Sequence, residues 1–293
     1  MNNPLFSIII PTYNRAALLK RCLDSVVAQT YKTWEAIVVD NYSEDNTEEI
    51  VQSYNDERIS YIKIHNNGII AASRNKALDI ARGDWVAFLD SDDCWLPNKL
   101  LFILPYLDSY DLVYHGYRQN IPKKNFWNRR ERYFYSIKEV RVGYVLQRGD
   151  PINPSCTAVR RSSIGDTRFS EDPALVAVED YDFFLQLIEK KIRIKHLHKI
   201  LTLYDVSGCS HTEKACGRDA LLFDKWEHEL NDVEKKEVHY QYLTRKVDFL
   251  MQEGNFKEAR KLYKSIFCSK LLSKKIFAIK GLIKCYLNVS SVF

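Results

Sequence analysis

Apolar residues recur in two rhythms that alternate along the N-terminal third of this chain. Short uninterrupted runs at Phe6 to Ile10, Trp34 to Val39, Tyr61 to Ile64 and Trp85 to Leu89 have the length of strands, and their lack of alternation suits burial on both faces. Helical segments stand between them. Ala16 to Ala28 carries Leu18, Leu19, Cys22, Leu23, Val26 and Val27 at helical spacing; Ser43 to Tyr54 offers Ser43 and Asn46 as candidate caps; Ile69 to Ala81 is closed by Gly83. The order β-α-β-α-β-α-β predicts an α/β domain with a Rossmann-like, mainly parallel sheet and helices on both faces. Downstream, Asp111 to Tyr117 and Ser155 to Val159 read as strands, Asp180 to Lys190 as an amphipathic helix, and Ile192 to Leu203 as strands. Arg118 to Arg132 is basic and aromatic without periodicity and reads as a loop. From Asp219 the pattern is helical to the end, with Gly254 separating Tyr240 to Glu253 from Lys257 to Phe267 as in an αα-hairpin. Residues 1–215 thus form one domain and 216–293 a helical appendage.

The fourth apolar run stops at Asp90-Ser91-Asp92-Asp93. The C-terminal ends of parallel strands are where open α/β sheets bind ligands. Two carboxylates about 5 Å apart repel by roughly 3 kcal/mol at an effective dielectric near 20. A hard cation, Mg²⁺ or Mn²⁺, would remove that cost and hold phosphates. The rival reading makes Asp92 or Asp93 the cap of a helix at Trp95-Leu96-Pro97. Other strand ends bring Pro11-Thr12-Tyr13-Asn14 and Asp40 to the same edge, and the third helix brings Arg74 near its start. A nucleoside diphosphate fits that set, with Asp40 on the nucleobase or ribose, Arg74 on phosphate or ribose, and Asp92 on the metal. Asp40 as a simple turn cap and Arg74 as a solvated helix residue are the plainer alternatives. No G-x-G-x-x-G follows the first strand and no G-x-x-x-x-G-K-[ST] exists, which disfavours a dinucleotide oxidoreductase and a P-loop NTPase.

Charge separates the two regions. The net charge is +5, yet Phe256 to Phe293 holds nine Lys/Arg against Glu258, about +8, leaving the rest near −3. The main body is therefore no nucleic-acid binder. Lys257 to Lys284 interleaves lysines with Leu, Ile, Phe and Tyr, the composition of an interfacial helix on anionic lipid. The other reading packs that apolar side on the main domain. The start of the chain has no signal-peptide pattern, and the seven cysteines include no CxxC, which points to a reducing compartment. His196, His198, Cys209, His211 and Cys216 match no standard zinc spacing.

Ser7 to Arg15, Val38-Val39-Asp40, Gly68 to Asn75 and Phe88 to Asp93 together resemble the family 2 glycosyltransferases of the GT-A fold, in order from about Ser7 to Leu203. The resemblance implies a nucleotide-sugar donor, Mn²⁺ or Mg²⁺, and inversion at the anomeric carbon. It makes Pro11, Thr12, Tyr13, Asn14, Asp40, Arg74, Asp90 and Ser91 donor-binding and Asp92 the principal metal ligand beside Asp90, with Asp93 and His211 as further candidates. It makes Asp180 the general base and Glu179 its neighbour in the acidic pair; the plainer reading is favourable charge at a helix start. The chain departs from the family at Asn41-Tyr42, where an acid and a glycine are usual, and at Tyr204-Asp205, where Tyr-Arg is usual.

The expectation that follows is a UDP-sugar-dependent transfer of glucose or galactose to GlcNAc or GalNAc on undecaprenyl diphosphate, in O-antigen or surface polysaccharide synthesis. The enzyme would work at the cytoplasmic face of the bacterial inner membrane, held there peripherally by its tail. A non-catalytic binding subunit of a polysaccharide complex and a sugar-phosphate nucleotidyltransferase are the alternatives.

Overall fold

The computed structural model describes residues 3–120, 131–149, 151–205 and 213–267, together with 279, 281 and 282. It divides into two compact units, Met1–Ser210 and His211–Phe293.

The first unit is built on one mixed sheet. Its N-terminal half follows the predicted alternation: β1 (Phe6–Thr12), α1 (Ala16–Val27), β2 (Trp34–Asp40), α2 (Thr47–Ser53), β3 (Ile59–Lys63), α3 (Ile70–Ile80) and β4 (Trp85–Phe88). Every residue of β1, β2 and β4 is buried, which requires cover on both faces. Phe6, Ile8 and Ile10 join Ala36, Val38, Ala87 and Leu89 in one core with Leu19, Leu23 and Val26 of α1. On the other face Phe88 meets Phe169 and Phe183 edge-on, and those two rings stack 4.0 Å apart.

The chain continues through β5 (Cys94–Trp95), α4 (Lys99–Ile103), β6 (Leu112–Asn120), β7 (Glu131–Arg132), α5 (Val142–Leu146), β8 (Thr157–Arg160), α6 (Arg161–Ile164), α7 (Glu179–Glu189) and β9 (Ile194–Asp205). The strand order is β3-β2-β1-β4-β8-β6-β9-β5, with β7 on β6. β1, β2, β3 and β4 pair in parallel, as do β6 and β9, while β8 runs antiparallel to both β4 and β6.

Three local expectations change. The helix expected from Ser43 starts at Thr47, because Ser43 is bonded to Asp40 and Asp45 takes the N–H of Thr47. The cap reading of Asp92 and Asp93 gives way to the short strand β5, which pairs antiparallel with β9. The segment from Ile192 to Leu203 is a single strand whose register on β6 slips beside Gly116.

At the N-terminal edge of the sheet a buried polar cluster ties three segments. Ser7 Oγ donates to Glu35 at 2.6 Å and accepts from Gly83 N at 2.7 Å, and Arg82 donates to Glu35 through N and Nε. A Cβ on Gly83 would stand 2.6 Å from Ser7 N, so only glycine allows this approach.

The second unit contains α8 (Glu213–Trp226), α9 (Asp232–Gln252) and α10 (Phe256–Phe267). Asn231 and Glu234 form a capping box, which starts α9 earlier than its apolar spacing suggested. Gly254, at φ +72, ends it. Val247 and Met251 pack on Ala259, Tyr263 and Ile266, as expected for an αα-hairpin. No helix among the described residues is long and apolar enough to cross a membrane. Most of the basic tail beyond Phe267 lies outside the described residues.

Candidate active site

The strand order reverses between β1 and β4, since the chain winds from β1 to β2 and β3 on one side and returns to β4 on the other. The C-terminal ends of β1 and β4 therefore flank the crevice where doubly wound sheets bind ligands. Register aligns Thr12 with Asp40 and Ile9 with Phe88. A cavity of about 260 Å³ opens there, lined by Thr12, Tyr13, Arg15, Asn41, Gly68 and Ser91 among others. Thr12 Oγ1 is buried in its wall without a partner among the described residues, and Tyr13 is half exposed.

The rim is tied down by two residues expected to touch the donor. Asn14, at φ +49, donates its N–H to Ser43 Oγ and accepts from Glu44 N, each at 2.8 Å. Asp40 is fully buried and accepts from Ser43 N, Ser43 Oγ and Tyr61 OH. Its carboxylate joins the Ser43 turn to β3.

The carboxylate loop is charge-matched from within the chain. Arg74 donates to Asp90 Oδ1 at 2.9 Å, Arg15 to Asp92 Oδ2 at 2.5 Å, and Arg21 stands 3.6 Å from Asp205 Oδ2. Asp93 is 1% exposed and accepts from Asp205 N at 2.9 Å. Ser155 lies under the loop: its Oγ accepts from Asp90 N and bonds the Asp93 carboxylate. Its carbonyl takes Trp95 Nε1, Lys99 Nζ and Thr202 Oγ1, each at 2.9 Å. Lys99 is wholly buried, and burial lowers its pKa well below the ordinary lysine value. Mutual repulsion of the loop acids is thus met by Arg15, Arg21 and Arg74, a remedy that spacing along the chain did not reveal. Burial, then the charge of Asp90, raises the pKa of both Asp92 and Asp93.

The acidic pair opens α7. Glu179 is saturated, accepting from Arg74 NH1 at 2.9 Å and from Ala177 N at 2.6 Å. Arg74 thereby joins Glu179 to Asp90. Burial opposes its charge, but Asp90, Glu179 and Asp180 outweigh that and raise its pKa. Asp180 is half-buried and accepts from Tyr181 N at 2.8 Å. Desolvation, then the Glu179 charge, raises its pKa to about 7.

Hard carboxylate oxygens suit Mg²⁺ or Mn²⁺, ions that are usually held by one or two carboxylates and complete their shell with substrate phosphates. Asp90 and Asp92 at the crevice fit that pattern, and among the described residues the loop offers no ready cluster of three ligands. Asp93 orients the loop through Asp205. His211, like Cys209, lies outside the described residues. His196 and His198 stack on Tyr114 and Tyr133 at 4.9 and 4.3 Å, and His198 is exposed.

The glycosyl transferase family 2 model matches residues 7–168, more than half of the chain. The chain belongs to glycosyltransferase family 2. This family 2 glycosyltransferase is 32% identical over 206 residues to WfaP of Escherichia coli, a UDP-Glc:alpha-D-GlcNAc-diphosphoundecaprenol beta-1,3-glucosyltransferase, spanning 70% of this chain and 79% of WfaP. Its fold is that of S. aureus TarS 1–349 in complex with UDP-GlcNAc, with a TM-score of 0.61 and 21% identity over 97% of this chain and 81% of that one. The mannosyltransferase PcManGT from Pyrobaculum calidifontis, in complex with GDP-Man and Mn²⁺, gives a TM-score of 0.64 and 17% identity over 98% and 81%. The GT-A architecture and the family are as the motifs implied, and the nucleotidyltransferase alternative falls.

Four residues of the site had no assigned role in the sequence. Arg15 ends the first motif, and a lone Arg carries no pattern. Ser155 and Lys99 sit in short segments whose partners are distant along the chain. Asp205 stood out only as a departure from Tyr-Arg.

Proposed function

We propose that this family 2 glycosyltransferase moves glucose or galactose from a UDP-sugar onto GlcNAc or GalNAc carried by undecaprenyl diphosphate, inverting the anomeric carbon, in O-antigen or surface polysaccharide synthesis. The activity printed for WfaP supports the donor and the lipid-linked acceptor. The observation that supports the catalytic assignment is the division of labour in the acidic pair. Glu179 is engaged by Arg74 and Ala177 N, whereas Asp180 accepts from Tyr181 N and has a pKa raised to about 7.

A carboxylate in that range accepts a proton from an acceptor hydroxyl with less mismatch than an ordinary aspartate. Asp180 takes that proton as the hydroxyl oxygen attacks the anomeric carbon and the bond to UDP breaks. One displacement with one base gives inversion. Thr12, Tyr13 and Ser91 hold the nucleoside against the cavity wall, while Asn14 and Asp40 keep that wall in shape. Asp92 and Asp90 would hold Mn²⁺ or Mg²⁺, which supplies charge neutralisation for the departing diphosphate. Arg74 fixes the distance between the donor loop and α7 through Asp90 and Glu179. The enzyme works at the cytoplasmic face of the membrane, and the basic tail adds affinity for anionic lipid.

Calorimetry with UDP and Mn²⁺, beside transfer assays, tests the assignment. Asp180→Asn should lose transfer by a factor of about 10³ or more while UDP affinity stays within about twofold. A parallel loss of UDP binding would move Asp180 into the donor site.

A further inference from the structure

We propose that Arg15 is a resident counterion of the carboxylate loop that exchanges with the divalent cation, holding Asp92 in the empty enzyme and turning to the donor diphosphate when metal and nucleotide bind. This rests on the donor site proposed above.

Four basic side chains lie around the loop, and they are not equivalent. Arg74 is committed to both Asp90 and Glu179 and is buried. Lys99 is wholly buried on Ser155 O. Arg21 stands by Asp205. Arg15 alone among them lines the cavity; its side chain is 39% exposed and its only recorded ion pair is to Asp92 Oδ2.

The backbone around Arg15 is pinned. Asn14 is clamped by Ser43 and Glu44, Ala16 N donates to Asp45 Oδ2 at 2.9 Å, and Arg15 O accepts from Leu19 N at 2.8 Å. Any response of Arg15 to a ligand is therefore a rotation of its side chain, with no loop movement needed. A divalent ion on Asp92 neutralises the charge that holds the guanidinium and repels the guanidinium itself. The ion brings two positive charges, and the diphosphate brings anionic oxygens into the same cavity. A guanidinium displaced from Asp92 finds there the planar, two-pronged acceptor that it binds best. Charge stays matched before and after the exchange.

The exchange makes Arg15 oppose the metal alone and favour the metal–nucleotide complex. Free Mn²⁺, followed by its electron paramagnetic resonance signal, would be titrated into the full chain and into Arg15→Gln and Arg15→Lys, with and without UDP. Without UDP, Arg15→Gln should bind Mn²⁺ about fivefold more tightly, the scale of one partly exposed ion pair. At saturating Mn²⁺ its UDP affinity should fall about tenfold, the scale of a charge-assisted hydrogen bond. Arg15→Lys should lie between wild type and Arg15→Gln in both measurements, and it decides the matter should Arg15→Gln not fold. Unchanged or weaker Mn²⁺ binding by Arg15→Gln without UDP overturns the exchange, and loss of affinity in both measurements would make Arg15 a structural support only. Wild type failing to bind UDP with Mn²⁺ overturns the donor-site assignment and this inference together; opposite-sign effects missing from an enzyme that does bind UDP overturn this inference alone.

Discussion

Replacing Glu179 by Gln tests how the acidic pair is tuned. The substitution removes one negative charge and keeps an acceptor for Arg74 NH1, so the Arg74–Asp90 bridge at 2.9 Å should survive. Glu179 is the largest electrostatic contributor, after burial, to the raised pKa of Asp180, and Arg74 opposes it. For a charge on the order of 7 Å away at an effective dielectric of roughly 20 to 40, the lost repulsion is about 1.2 to 2.4 kcal/mol, or one to two pH units. The base acts deprotonated, so wild-type kcat/KM should rise with pH through about 7 and level off above it. In Glu179→Gln the same limb should move down by about one to two units. Rates would be measured from about pH 5 to 9 at saturating Mn²⁺, with UDP affinity followed at each pH to separate titration of the carboxylate loop. Stability gives a second readout. A carboxyl with a raised native pKa stabilises the fold at low pH and loses that contribution as pH rises through about 7. That window should narrow in Glu179→Gln. A limb that stays in place or moves upward would refute the assignment of Glu179 as the charge that tunes Asp180.

Three further outcomes are expected. Ser155→Ala leaves Asp90 N without its acceptor and should cost about 1–3 kcal/mol in urea unfolding, with a weaker Mn²⁺–UDP complex. Phe183→Ala removes a fully buried ring stacked on Phe169 and edge-on to Phe88; it should cost about 3–5 kcal/mol and leave the metal dependence of UDP binding intact. Deleting residues from Leu271 onward removes Lys274, Lys275, Lys280 and Lys284, four of the nine basic residues after Gly254, and should release the protein from anionic vesicles in a sedimentation assay; unchanged partitioning would assign membrane contact elsewhere.

Much of the first unit was legible because its strands are buried on both faces and so read as unbroken apolar runs. Burial of β1, β2 and β4 at every position is the same fact seen from the structure. β5 was not legible: two residues, Cys94 and Trp95, become a strand only through β9, more than a hundred residues later. Acidic site residues were legible as types clustered at strand ends, yet their division of labour was not. Whether Asp40, Glu179 or Asp180 keeps a free carboxylate depends on Tyr61, Arg74 and Ala177, whose approach is set by packing. Cations were the least legible. An Arg or Lys in sequence looks the same whether it is solvated, as most are, or buried like Lys99 and Arg74.

The cluster of Ser7, Glu35, Arg82 and Gly83 sits at the end of the sheet remote from the carboxylate loop. The two ends of the same strands therefore answer to different selective pressures. Substitutions at the rim, where Asn41 lines the cavity, should change the shape of that cavity while the far end keeps the strands in register. A library randomised at 41 and 42 should alter the cavity wall and, through Asn66 N on Asn41 and His65 on Tyr42, the loop after β3. One randomised at 35, 82 and 83 would sample the fold and little else. This separation gives an evolving lineage room to change sugars while the scaffold stays constant.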